Sequence, residues 1–103
     1  MKILIDDKRN VLPDGTEPDI IIRNYNSGLI FIVDWMFSTE FDTLYIDHDL
    51  GSKKTGYDLL TTLEYARHLD LESYPLPYDI ICVSDNPPGR ARIEQVIEKL
   101  YGD

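Results

Sequence analysis

The sequence predicts a small three-layer α/β sandwich built on a four-stranded, mostly parallel sheet. Three observations carry this prediction. Four short segments are continuous apolar runs rather than alternating ones, the pattern of strands covered on both faces. Stretches with helical periodicity stand between the later runs. Three of the four runs end in clusters of polar residues, and an open parallel sheet binds ligands at the carboxyl ends of its strands.

The first strand is residues 2–6, KILID. Residues 8–18, KRNVLPDGTEP, follow with two prolines, a PDG turn and no apolar periodicity, which predicts a loop. Residues 19–25, DIIIRNY, read as the second strand. Residues 27–38, SGLIFIVDWMFS, are rich in Ile, Val and Phe, which also suits a strand. Two parallel strands need a crossover between them, and this favours a helix there. The third strand is residues 43–47, TLYID. In residues 56–69, Leu59, Leu60, Leu63 and Ala66 share one helical face. Residues 79–84, DIICVS, form the fourth strand. Residues 87–101 form the clearest helix, with Ile93, Val96, Ile97, Leu100 and Tyr101 on one face and prolines where a helix begins.

The whole is one domain of 103 residues, 43% hydrophobic and 28% charged, with a net charge of −9. Such a charge argues against a broad nucleic-acid interface, which needs a basic face to replace counterions. The longest apolar run, GLIFIV, is far too short to span a membrane, and the N-terminus lacks signal-peptide architecture, so a cytoplasmic location is expected. Cys82 is the one cysteine, so no internal disulfide forms.

The polar clusters are Asp6-Asp7 followed by Arg9, then Asp47-His48-Asp49, then Ser84-Asp85-Asn86. The topology brings all three to one edge of the sheet. Two like charges about 4 Å apart repel by roughly 4 kcal/mol at an effective dielectric near 20. Carboxylates gathered there take up protons or share a cation, and an oxygen-only set suits Mg²⁺ or Mn²⁺. Asp6, Asp7, Asp47 and Asp49 are the candidate ligands. His48 lies between two acids, where an imidazole suits general acid–base work near neutrality. If the strand continues, however, residues 47 and 49 point one way and residue 48 the other. Ser84 and Asn86 precede Pro87-Pro88-Gly89 and the last helix, so they either cap that helix or cap it and hold phosphate oxygens at its N-terminus. Arg9 follows the acidic pair and is the best-placed phosphate clamp; Lys53, Lys54, Arg90 and Arg92 are the other cations expected near this edge.

Familiar motifs fail on inspection. GSKKTG (51–56) has P-loop glycine spacing, but Tyr57-Asp58 stand where Lys-Ser/Thr belong. DHDLGSKKTGYD (47–58) begins like a calcium loop but lacks its sixth-position glycine and ends in Asp58 rather than Glu. Asp47 and Asp49 have the DxD spacing of phosphate-transferring aspartate enzymes without the usual Thr that follows it. Cys82 lies within an apolar strand, away from any histidine pairing.

The acidic pair after the first strand, Asp47 after a central strand, Gly56 nine residues on and Ser84 after the next strand resemble the receiver domain of two-component signalling, a flavodoxin-like fold. In a receiver, Asp6 and Asp7 would hold Mg²⁺, Asp47 would take a phosphoryl group and Ser84 would be the switch hydroxyl. A receiver also has a fifth strand bearing a lysine and a helix between its first two strands, and this chain lacks both. The sequence is more similar to a compact receiver-derived family of bacteria and their phages, the cyclic-phosphate-processing receiver domains. The similarity rests on DDKR (6–9), DHDLG (47–51), TG (55–56) and SDNPPG (84–89), spread along essentially the whole chain.

The resemblance implies a metal-dependent hydrolase, a phosphodiesterase acting on a cyclic phosphate of a nucleotide or RNA end. Asp47 and His48 would be catalytic. Asp6, Asp7, Asp47 and Asp49 would hold the metal, and Arg9, Ser84, Asn86 and Gly89 would meet the substrate. The family often carries a histidine where this chain has Val83, which leaves His48 alone to supply acid–base catalysis. The alternative is a non-catalytic cyclic-nucleotide-binding or regulatory module. A phosphoaccepting receiver is disfavoured by the missing fifth strand.

Overall fold

The computed structural model describes residues 1–35, 43–69, 76, 77 and 79–102. Four parallel strands, β1 (Lys2–Ile5), β2 (Ile20–Ile22), β3 (Thr43–Ile46) and β4 (Asp79–Cys82), form one sheet in the order β2-β1-β3-β4. The register aligns Ile5 with Ile22 on one side and with Ile46 on the other, and Ile46 with Cys82. Because the strands are parallel and end level with one another, the residues that follow three of them, Asp6, Asp47 and Val83-Ser84, reach the same edge. This is the α/β receiver-like topology that the sequence implies.

Three helices connect and cover the strands: α1 (Tyr25–Trp35), α2 (Gly56–Leu69) and α3 (Pro87–Tyr101). The expected bounds of α2 and α3 are those observed. Each begins at a specific cap. Thr55 and Asp58 form a reciprocal box, the Thr55 amide donating to Asp58 Oδ2 (2.7 Å) and the Asp58 amide to Thr55 Oγ1 (3.4 Å). Asn86 caps α3, accepting from the Gly89 amide at 3.2 Å, with prolines in the first helical positions. The first helix starts two residues before the expected boundary, and β2 is shorter than the expected 19–25. Asn24 is the reason: its side chain accepts the Ser27 amide (2.9 Å) and its carbonyl the Gly28 amide (3.0 Å), which starts the helix at once. The last residues expected in this helix, 36–38, lie outside the described residues.

The core lies between the sheet and the helices. Ile3, Ile5, Leu44, Ile46 and Ile80 point from the strands toward Ile32 of α1, Leu59, Leu60 and Leu63 of α2, and Ile93, Val96 and Leu100 of α3. The other face of the sheet carries Leu4, Tyr45 and Ile81, and meets Leu12 of the loop between β1 and β2, together with Val83. The layer on this face is the loop that the sequence predicts over residues 8–18. The chirality of crossovers accounts for this. The steps β2-α1-β3 and β3-α2-β4 run in one direction across the sheet and place their helices on one face, whereas β1 to β2 runs in the opposite direction and must cross the other. Only an irregular segment with a buried Leu12 makes that crossing.

The outer edge of β4 is closed by a side chain. The Val83 amide donates to Ile46 of β3 at 2.9 Å, so the carbonyls of its neighbours Cys82 and Ser84 face outward. Arg90 of α3 donates to both, at 3.3 and 3.1 Å.

Candidate metal centre

The site is a cleft of about 520 Å³ at the carboxyl edge of the sheet. The loop after β1 contributes Asp6, Asp7, Lys8 and Arg9; the end of β3 contributes Asp47 and Asp49; the end of β4 contributes Asp85 and Asn86. All three polar clusters expected from the sequence meet here.

Asp6 is 1% exposed, an unusual position for a carboxylate. Its Oδ1 accepts the backbone amides of Lys8 (2.8 Å) and Arg9 (3.0 Å), and its Oδ2 accepts Arg9 Nη1 (2.9 Å). Burial works against its charge, but the two amides and the guanidinium together outweigh burial and hold its pKa below the ordinary aspartate value. The loop that supplies these amides is fastened by Arg23, just beyond β2. Its guanidinium donates to the Arg9 carbonyl at 2.7 Å, to the Asp6 carbonyl at 3.4 Å and to the Asn10 side chain.

Asp47 is also buried, and its acidity moves the opposite way. Burial first, then the charge of Asp6, raise its pKa; the His48 amide, the Ser84 hydroxyl and Arg9 offset this only in part. Its Oδ1 accepts the His48 amide at 2.8 Å. The residue after it fixes the start of α2, where the Gly56 amide donates to the His48 carbonyl at 2.9 Å. A β-carbon at residue 56 would overlap the Asp47 carbonyl, so the glycine of the TG pair lets α2 approach the end of β3 this closely.

Among the described residues, Asp6, Asp7 and Asp47 each offer a carboxylate oxygen, and the three oxygens lie within 4.8 Å of one another. An all-oxygen set with a nearly fully buried anionic member fits a hard divalent cation such as Mg²⁺ or Mn²⁺. Asp49, the fourth expected ligand, lines the same cleft but stands outside this trio, with Oδ1 3.2 Å from His48 Nδ1.

The other expected site residues fall as follows. The His48 side chain is 14% exposed and is not among the cleft-lining residues. Its ring lies over Gly89, where a β-carbon would overlap Cγ, Cδ2 and Nδ1. Gly89 thus makes room for an imidazole. Ser84 is buried, bonds Asp47 and accepts the Asn86 amide at 3.1 Å. Asn86 lines the cleft and caps α3. Arg9 reaches across the site: Nη1 pairs with Asp6, Nη2 pairs with Asp85 Oδ2 at 2.7 Å, and Nη1 stands 3.8 Å from Asp47 Oδ2. These partners, Asp6 foremost, raise its pKa further above its ordinary value. Of the other expected cations, Arg90 is engaged at the β4 edge and Arg92 lies 4.5 Å over the Tyr57 ring; Lys53 and Lys54 are exposed in the loop before α2. Sequence reasoning passed over Lys8 and Asp85 as cleft-lining residues and Arg23 as the fastening of the β1 loop. Lys8 and Asp85 could have been found from their places inside two of the clusters, whereas nothing local marks Arg23.

No helix among the described residues is long and apolar enough to cross a membrane. The model of the cyclic-phosphate processing receiver domain family matches residues 1–99, nearly the whole chain. Searches of curated proteins and of solved structures found no match.

Proposed function

We propose, since the chain belongs to the cyclic-phosphate processing receiver family, that it hydrolyses a cyclic phosphate on a nucleotide or RNA end with the aid of Mg²⁺ or Mn²⁺. The observation that carries this reading is the meeting of Asp6, Asp7 and Asp47 oxygens within 4.8 Å. When bound, the cation would supply Lewis-acid activation and neutralise phosphate charge. Asp6, Asp7 and Asp47 would hold it, with Asp49 at the rim. Arg9 and the polar groups of Asn86 would orient the phosphate, and Ser84 would keep Asp47 in place. His48, held against Gly89 and Asp49, would need a side-chain rotation to reach a leaving oxygen. The test is incubation with 2′,3′- and 3′,5′-cyclic nucleotides and Mg²⁺ or Mn²⁺. Linear product is expected from the wild type. Product formation that persists unchanged in Asp47→Asn overturns the reading.

That same placement of His48, together with Val83, favours a second reading, a binding module that retains its cyclic ligand intact. Calorimetry followed by recovery of the ligand separates the two. Intact ligand after binding supports the module, and absence of binding to any cyclic nucleotide ends it.

A further inference from the structure

In both buried acids of the site, one carboxylate oxygen is already used by backbone. Asp6 Oδ1 accepts two amides and Asp47 Oδ1 accepts one. The oxygens on which no backbone amide falls are Asp6 Oδ2 and Asp47 Oδ2. Both face Arg9 Nη1, at 2.9 and 3.8 Å. The other end of the same guanidinium is held by Asp85, whose side chain is 92% exposed and whose contact with Arg9 is therefore easily exchanged.

We propose that Arg9 is the resident cation of this site: it occupies the carboxylate oxygens that a divalent ion would take, and the ion binds by displacing it. This rests on the metal reading above and adds an order of events to it. A guanidinium expelled from Asp6 stays tethered by its own loop at the mouth of the cleft, beside Asp85. There it has donors to offer an anion, and a phosphate replaces Asp85 as its partner. Metal and anion then favour one another, because each occupies what the other has released. Arg9 is in this account a positioning and coupling residue. Its removal should tighten metal binding, the reverse of what a supporting residue would do.

The experiment is calorimetric titration of the full chain with Mn²⁺ alone, then with inorganic phosphate present. Variants are Arg9→Gln, Arg9→Lys and Lys8→Gln, with circular dichroism confirming their fold. Lys8 lines the same cleft and carries the same charge, but only its backbone amide touches Asp6, so Lys8→Gln reports the bulk charge effect. Arg9→Gln is expected to tighten Mn²⁺ at least tenfold and Lys8→Gln less than threefold. Arg9→Lys, whose single ammonium cannot span Asp6 and Asp85, should fall between them. Phosphate should tighten Mn²⁺ several-fold in the wild type and leave Arg9→Gln unchanged. Weaker or unchanged Mn²⁺ binding in Arg9→Gln, or equal tightening in Lys8→Gln, overturns the displacement while leaving the metal site standing. Failure of both wild type and Arg9→Gln to bind Mn²⁺ overturns the metal reading, and this proposal with it.

Discussion

Asp6 and Asp47 face the same guanidinium nitrogen, 2.9 and 3.8 Å from Arg9 Nη1, yet their acidities move in opposite directions. Asp6 has two backbone amides of its own loop to stabilise its charge. Asp47 has one, and it bears the repulsion of Asp6. The site therefore holds one carboxylate at ease as an anion and one that is not.

The first prediction follows from that asymmetry. Asp47 binds its proton more tightly in the folded chain than in the unfolded one, so its ionisation near neutral pH costs stability. Metal-free Asp47→Asn should melt above the wild type at pH 7. The gap should narrow as the pH falls through the raised Asp47 pKa. Asp6 works in the other sense: the stability it gives is present above the ordinary aspartate pKa and is lost as the pH falls through its own lowered value. Melting curves between pH 3 and 8 on both proteins check this; an Asp47→Asn protein that melts lower at pH 7 contradicts it.

Metal should reverse that order. A cation held by the trio stabilises the folded chain by mass action, about 2.7 kcal/mol at a hundredfold excess over Kd. Saturating Mn²⁺ should raise the wild-type melting temperature by about 10 °C or more, and a chelator should undo the rise. Asp6→Asn and Asp47→Asn should show little of it. Differential scanning fluorimetry of the three proteins is sufficient.

The contact between His48 and Gly89 predicts a paired effect. Gly89→Ala forces the imidazole from its place and should cost about 1–3 kcal/mol by overpacking. His48→Ala empties that space, so Gly89→Ala in a His48→Ala background should cost much less. A double-mutant cycle by chemical denaturation measures the coupling; additive losses would mean that the ring is not what Gly89 accommodates.

Arg23 bonds the Asp6 and Arg9 carbonyls and the Asn10 side chain, and its effect should nevertheless appear in the site. Arg23→Ala frees the Asp6 and Arg9 carbonyls from their fastening. The Lys8 and Arg9 amides should then exchange with solvent about tenfold faster, which corresponds to about 1.4 kcal/mol of local stability. Core amides of β1 should keep their protection, as hydrogen exchange can show.

Much of this was written in short stretches of the chain. The bounds of α2 and α3 are legible because caps and apolar periodicity agree there, Thr55 with Asp58 and Asn86 with Pro87-Pro88. The convergence of Asp6, Asp47 and Ser84 follows from parallel strands ending level. The start of α1 was less legible, since Asn24 acts as a cap inside a run that otherwise reads as strand. The orientation of His48 was legible in part: alternation sets residue 48 opposite 47 and 49, and of the three only Asp47 and Asp49 line the cleft, whereas its seat against Gly89, forty-one positions away, has no local mark. Arg9 illustrates a different limit. A lone arginine beside acids reads as a phosphate ligand, and only the spatial arrival of Asp85 shows that its two ends are already taken.

Arg90 has a consequence for how this molecule behaves among copies of itself. A small sheet that stops at β4 presents outward carbonyls to which any extended peptide can bind, the usual beginning of a fibre. Donating to Cys82 and Ser84, one guanidinium covers two of those carbonyls, with Glu94 3.8 Å from its Nε. At these two carbonyls the β4 edge is therefore covered by a residue of α3, the helix whose first turn also lies against the site through Asn86 and Gly89.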